Sequence, residues 1–279
     1  MPFTCSEHGT RIHYEVTGRA DGEPLLLIQG LGADRRGWAF QRFALSRRYR
    51  VYLVDNRGAG GSDKPAGPYD LEEMAEEALA VLDAEDVRSA HVMGASMGGV
   101  LAQILAVRHP DRVRSLVLAC TASRHHRWRR DLLAEWADLA ERRGMRALAP
   151  SAVKWLVGPR HHRRFHLPFR VLSSFVLNVP AHAFAAQARA ILAFPDDIRE
   201  LLREVAVPTM VIVGTQDILT PLADSEELCE LIPHAELHVI HGAAHGLMVE
   251  HAGTFNDRVL GFLERASAAT ADAPEVLTA

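Results

Sequence analysis

Cysteine is scarce in this chain of 279 residues. Cys5, Cys120 and Cys229 are odd in number and far apart, which excludes a disulfide framework and a clustered cysteine metal site. No run of about 18 apolar residues occurs, so no segment reads as a membrane-spanning helix. The first residues, Met1 to Glu7, lack the basic and apolar stretches of a secretory leader. A reducing, cytoplasmic setting is therefore expected. No internal repeat is apparent.

What is present is ordinary for a globular chain, with 48% hydrophobic and 24% charged residues, which excludes wholesale disorder. The net charge of −4 is unevenly spread. Residues 124–197 hold 13 Lys+Arg against 6 Asp+Glu, so the remainder of the chain is acidic. A basic surface there could steer an anionic, carboxylate-bearing substrate; a solvated helical face explains the same charge. Nucleic acid is disfavoured as a partner, because no matching motif accompanies the charge. His125, His126, His161, His162 and His166 are irregularly spaced with no acidic residue beside the pairs, so no metal site is expected.

Short apolar runs separated by helical patterns organise the rest. A strand near Phe3 precedes the alternating Arg11–Val16. Leu25–Ile28, Val51–Val54, Ala90–Met93, Val113–Ala119, Thr209–Val213 and Leu237–Ile240 read as further strands, six apolar runs in all. Leu71, Met74, Ala75, Ala78, Leu79 and Leu82 share one face of a helix over Leu71–Asp83. Strands apolar throughout and alternating with helices imply a mostly parallel sheet of eight strands, covered on both faces. Residues 124–197 break this rhythm. They are helical in character, with Leu132, Leu133, Trp136 and Leu139 at helical spacing, punctuated by Pro150, Pro159, Pro168 and Pro180. The expected division is a core of 1–123 and 198–265, a helical cap of 124–197, and a frayed tail of 266–279.

Residues Gly94-Ala95-Ser96-Met97-Gly98 lie between one apolar run and a helical pattern. A strand that turns sharply into a helix at G-x-S-x-G exposes its serine above the sheet edge, with the helix N-terminus behind it. A serine hydroxyl needs a base, and the base needs a third group to orient it. On this architecture the order is serine, acid, histidine. Asp217 follows the strand Thr209–Val213, and His245 lies in a loop of small residues after the next strand. Asp224 reads as a first-turn helix charge. His241 falls at a strand end and His251 in a helix. Two backbone donors for an oxyanion are expected at Met97 and Leu31, with Gly30 and Gly32 allowing close approach of substrate.

Five ordered segments carry a family resemblance: Gly30-Leu31-Gly32, Asp55 to Ser62, Gly94 to Gly99, Gly214 to Asp217 with Pro221, and Gly242 to His245. The chain resembles the α/β-hydrolase superfamily, most closely 3-oxoadipate enol-lactonases and small carboxylesterases. Gln29 departs from the pattern, standing where many relatives have histidine. Serine at the elbow points away from the dehalogenases and epoxide hydrolases of the superfamily, which use aspartate there. The resemblance implies an α/β-hydrolase fold and an enzyme that needs no cofactor and cleaves a small-molecule ester or lactone through Ser96, His245 and Asp217. The same triad also serves eliminations, cyclisations and C–C cleavages, or persists in ligand-binding receptors. Trp128, Trp136, Trp155, Phe165, Phe169 and Phe175 are candidates for an apolar substrate lining.

Overall fold

The structure is a computed structural model that describes residues 2–158, 179–195 and 198–271. The apolar runs become strands. They are β1 (Phe3–Cys5), β2 (Arg11–Gly18), β3 (Pro24–Ile28), β4 (Arg50–Val54), β5 (Ala90–Ala95), β6 (Val113–Ala119), β7 (Thr209–Gly214) and β8 (Glu236–Ile240). They form one eight-stranded sheet in the order β1-β2-β4-β3-β5-β6-β7-β8. The β1–β2 and β2–β4 pairs are antiparallel. Every pair from β4–β3 to β7–β8 is parallel.

Side chains of a strand alternate between faces, and here both faces are buried. Leu26, Ile28, Val92, Leu116 and Val211 pack with α2 (Leu71–Asp83) and α3 (Met97–Arg108). Leu25, Leu27, Met93, Val117 and Ile212 pack on the other side against α1 (Ala39–Ser46) and the final helix. Helix α2 begins where expected, with Asp70 capping the amides of Glu72 and Glu73. Residues 97–106 of α3 are all buried, as befits a helix pressed against the sheet beneath a lid of other elements.

Residues 124–197 contribute α4 (Arg127–Arg143), α5 (Met145–Leu156) and α6 (Ala181–Ala193), and no strand among the described residues. Leu133 and Trp136 are buried and Leu132 and Leu139 half-buried, as their spacing implies. Pro150 does not punctuate this segment. It lies inside α5, where the lost backbone bond is tolerated because Leu148, Ala152 and Val153 are buried around it. Pro180 does mark a boundary, as the residue before α6. Short α7 (Ile198–Leu201) leads back to the sheet, followed by α8 (Leu222–Leu231), α9 (Leu247–Glu250) and α10 (Ala252–Ala271).

No tail begins at Ala266. Helix α10 runs through Ala271, Ala266 is buried in the core, and the Ser267 hydroxyl donates to Glu23. The alanines that looked like a frayed end are good helix formers, and Ala266 packs into the core. Residues 272–279 lie outside the described residues. Among those described, no helix is long and apolar enough to cross a membrane.

The turn between β5 and α3 depends on close backbone contact. A Cβ on Gly94 would sit 2.0 Å from the Gly98 oxygen, and one on Gly98 would sit 2.2 Å from the Ile28 oxygen. Neither obstacle is a side chain that can swing away. Gly98→Ala should therefore cost about 2–3 kcal/mol and lower the melting temperature by roughly 5–10 °C. Gly253→Ala, in open space near the start of α10, should melt at or slightly above the parent. Calorimetry on the two variants checks the contrast.

Candidate active site

The turn after β5 holds Ser96 at φ 54 and ψ −119, a conformation that side chains rarely adopt. Three bonds fix it. The Ser96 amide donates to the Ala119 carbonyl at the end of β6 (2.9 Å), and the Ser96 carbonyl accepts from the Gly99 amide (2.9 Å) and from Thr121 Oγ1 (2.8 Å). Residues on either side are buried while Ser96 stays partly open. Its Oγ makes no hydrogen bond among the described residues.

Asp217 follows β7, two strands from the serine in the sheet. Its Oδ2 lies 2.8 Å from His245 Nδ1. Its Oδ1 accepts the amides of Leu219 and Thr220, each at 2.9 Å, and Thr220 Oγ1 donates to Oδ2 at 2.8 Å. Asp217 and His245 are both buried. The loops that carry them are tied together, since the Gln216 amide donates to the Ala243 carbonyl (2.8 Å). A carboxylate with this many donors is held in one orientation and holds the imidazole with it.

Beyond β3, the Gly30 amide donates to Gln29 Oε1 (3.2 Å) and the Gly32 amide to Gln187 Oε1 of α6 (2.9 Å). The amide between them, on Leu31, has no acceptor among the described residues. The Met97 amide, first in α3, has no intrahelical acceptor by construction. Gly30 comes against Ser96 itself: a Cβ there would lie 3.0 Å from the Ser96 Cβ. Gln29 is part of this frame, with Nε2 on Met248 Sδ and its carbonyl accepting Asn56 Nδ2 at 2.8 Å.

Ser96, His245, Leu31 and Met97 all border one cavity of about 200 Å³, whose walls include Leu133 and Trp136 of α4. A hydroxyl, an oriented imidazole and two outward amides on one apolar cavity are the parts of an acyl-transfer site.

Comparison with known proteins agrees with this architecture. The sequence profile of the alpha/beta hydrolase fold matches residues 23–252. The chain belongs to the α/β-hydrolase fold family. It is 29% identical to 3-oxoadipate enol-lactonase 2 of Acinetobacter baylyi over 265 residues, covering 94% of this chain and 96% of that one. It is 32% identical over 263 residues to a Caulobacter segnis protein provisionally named carbamate hydrolase RutD, covering 91% and 97%. The crystal structure of the enol-lactonase from Burkholderia xenovorans LB400 superposes with a TM-score of 0.88 at 30% identity, covering 94% of this chain and all of that one.

Within this α/β-hydrolase frame several expected residues fall elsewhere. Of the three tryptophans, Trp136 alone borders the cavity. Trp128 and Trp155 stack on each other, with ring centroids 6.0 Å apart. They serve packing between α4 and α5 rather than the substrate. Gly30 borders the cavity, whereas Gly32 lies behind it with φ 70. Phe165, Phe169, Phe175, His161, His162 and His166 lie outside the described residues. His241 is exposed at the end of β8. His251 sits at the junction of α9 and α10 rather than inside a helix. Neither borders the cavity.

Asp224 is in the first turn of α8, as expected, but it is not a solvated charge. It is buried and bonded to Arg129, itself buried. Burial pushes the Asp224 carboxyl up, while Arg129 draws it down. Arg129 also donates to the Leu219 carbonyl (2.7 Å) and the Arg124 carbonyl (3.0 Å). One of the arginines counted into the basic segment is thus an internal tie to the core. Arg127 remains exposed beside Asp131, and Arg130 donates to the Leu192 carbonyl at 2.7 Å.

Three residues that the sequence did not assign to the site also shape it. Thr220 was detectable in principle, since an aspartate two and three residues before accepting amides is a common turn. Glu250 accepts the Ala244 and Gly158 amides, each at 2.7 Å, and so links the histidine loop to the end of α5. His125 borders the cavity, and no pattern in the sequence separated it from its neighbours.

Arg129→Met should destabilise by about 3–5 kcal/mol in urea unfolding, because it strands a buried carboxylate. Asp224→Leu added to it should recover most of that loss, which a double-mutant cycle reads directly. His125 gives a second test. Burial, then Arg129, Arg130 and His126, push its pKa from 6.5 down to about 3. Between those values the unfolded chain binds the extra proton. Stability from this residue is complete above about pH 6.5 and declines as the pH falls toward 3. His125→Phe should flatten the stability profile in that window by up to about 1.4 kcal/mol per pH unit.

Proposed function

We propose that the protein is a serine hydrolase that cleaves a small carboxylic ester or lactone through an acyl-enzyme on Ser96. The observation that carries this reading is the buried Asp217–His245 pair at 2.8 Å, facing the same cavity as a serine at an elbow. His245 Nε2 takes the Ser96 proton as Oγ attacks the substrate carbonyl carbon. The carbonyl oxygen becomes an oxyanion and accepts the Leu31 and Met97 amides. The tetrahedral intermediate collapses, and the alcohol leaves with the proton from His245. Water then attacks the acyl carbon with His245 as base, releasing the acid and restoring Ser96.

Asp217 acts by orientation, its oxygens accepting from Leu219, Thr220 and His245. It fixes Nδ1 as the donor and leaves Nε2 free for the serine. The hydrogen bond from Ser96 to His245 forms on substrate binding, as apo sites often tighten only in the complex. The relatives support this class: one is named for a lactone and another for a carbamate, both acyl carbons bearing a heteroatom leaving group.

Ser96→Ala should keep the fold and lower kcat on a p-nitrophenyl ester by about 10⁴-fold or more. A fluorophosphonate probe should label the parent and leave this variant unlabelled. Asp217→Asn should cost on the order of 10⁴ in kcat through misorientation of the imidazole. Probe labelling that survives in Ser96→Ala would overturn the assignment of the nucleophile.

A further inference from the structure

Away from Ser96 the cavity is apolar with few exceptions. Leu133, Trp136, Leu156, Phe184 and Ile191 are the large apolar side chains that α4, α5 and α6 contribute to its walls. His125, just before α4, is different. It borders the cavity, yet neither ring nitrogen has a hydrogen bond among the described residues. Nδ1 is buried without a partner, so Nε2 is the ring nitrogen that remains to meet a ligand in the cavity that His125 borders. A polar atom left unpaired in apolar surroundings costs free energy until something bonds to it. An unpaired lone pair is better tolerated than an unpaired N–H, so the tautomer that leaves the buried Nδ1 bare places the proton on Nε2, pointing at the ligand space.

The charges around the cavity bear on what that ligand carries. The only cation bordering it among the described residues, other than histidine, is Arg129, whose charge is met by Asp224. Glu250 borders the cavity as a carboxylate, and Asp217 stands behind His245. An anionic substrate would meet carboxylates and one arginine already paired. We infer that His125 is the specificity-determining residue of this site, donating from Nε2 to a neutral carbonyl or ether oxygen on the otherwise apolar acyl chain of the substrate. The inference rests on the ester- or lactone-cleaving reading. It replaces the carboxylate-bearing substrate expected from the basic segment. The low pKa of His125 agrees, because the ring stays neutral at working pH.

The test uses p-nitrophenyl hexanoate, its 4-oxo and 5-oxo counterparts, and the mono-p-nitrophenyl ester of adipic acid. With the parent, kcat/KM for the better oxo ester should exceed that for hexanoate by roughly tenfold, one hydrogen bond's worth, and should exceed that for the adipate ester. In His125→Phe the oxo-to-alkyl ratio should fall to about one, and His125→Gln should restore part of it. The Ser96→Ala variant, which binds without turnover, should show the same tenfold preference in calorimetric Kd, lost when His125→Phe is added. In Ser96→Ala, the His125 Nε2 resonance should shift on adding the oxo ester, a readout that does not require His125→Phe to fold. An unchanged ratio in His125→Phe, a preference of the parent for the adipate ester, or an unmoved Nε2 resonance overturns the inference. Selective binding to Ser96→Ala with no turnover by the parent sustains the role of His125 and overturns the hydrolase reading instead.

Discussion

The backbone oxygens of Ile28, Gln29 and Gly98 crowd the turn after β5 so closely that Gly94 and Gly98 have no room for a methyl group. That crowding lets the chain reverse into α3 within one residue and holds Ser96 at a positive φ. A looser turn would let the serine relax toward an ordinary conformation and drop below the sheet edge. Because β5 lies at the centre of the sheet, between β3 and β6, its turn meets elements on both sides. The loop after β3 sets Gly30 against Ser96, the end of β6 accepts the Ser96 amide, and the first residue of α3 follows directly. The strain is sustained by the packing of a sheet buried on both faces.

Asp217 and His245 are held by different means. Asp217 is oriented by its own loop, through amides two and three residues on and the Thr220 hydroxyl. His245 is oriented by Asp217 from one side and by its loop's ties to the inserted helices from the other. Glu250 and the Leu156 carbonyl, which accepts the Gly246 amide at 2.7 Å, make those ties. The Arg129–Asp224 pair anchors the other end of the same insertion. The helices that wall the cavity therefore also hold the base in place.

The sheet was legible because its strands are apolar on both faces and bounded by turn residues. The elbow was legible because no other residue type fits its two glycine positions. Asp217 and His245 could be found from chain order, as each follows a parallel strand. What the sequence did not reveal depends on which way a helix face turns. Trp128, Trp136 and Trp155 look equivalent along the chain, yet only one meets the cavity, because α4 and α5 pack face to face through the other two. Arg129 looked like its exposed neighbour Arg127 until its partner, 95 residues later, was known. The small residues from Ala266 on are weakly apolar by composition, and only the burial of Ala266 and the docking of Ser267 beside Glu23 and His91 tie them to the core.

That docking sets the order in which the molecule can come together. Glu23 stands just before the third strand, and its partner Ser267 lies in the C-terminal part of the last helix. Gln41 of α1 reaches the Met248 carbonyl (2.7 Å), and Asn256 reaches the Phe40 carbonyl (2.9 Å). Ser96 follows β5, but His245 follows β8 and its loop depends on ties to the end of α5 and to α9. The chain therefore makes the elbow well before the imidazole that comes to share its cavity. Contacts this distant in sequence slow the final closure, so the two groups meet only when the sheet is complete.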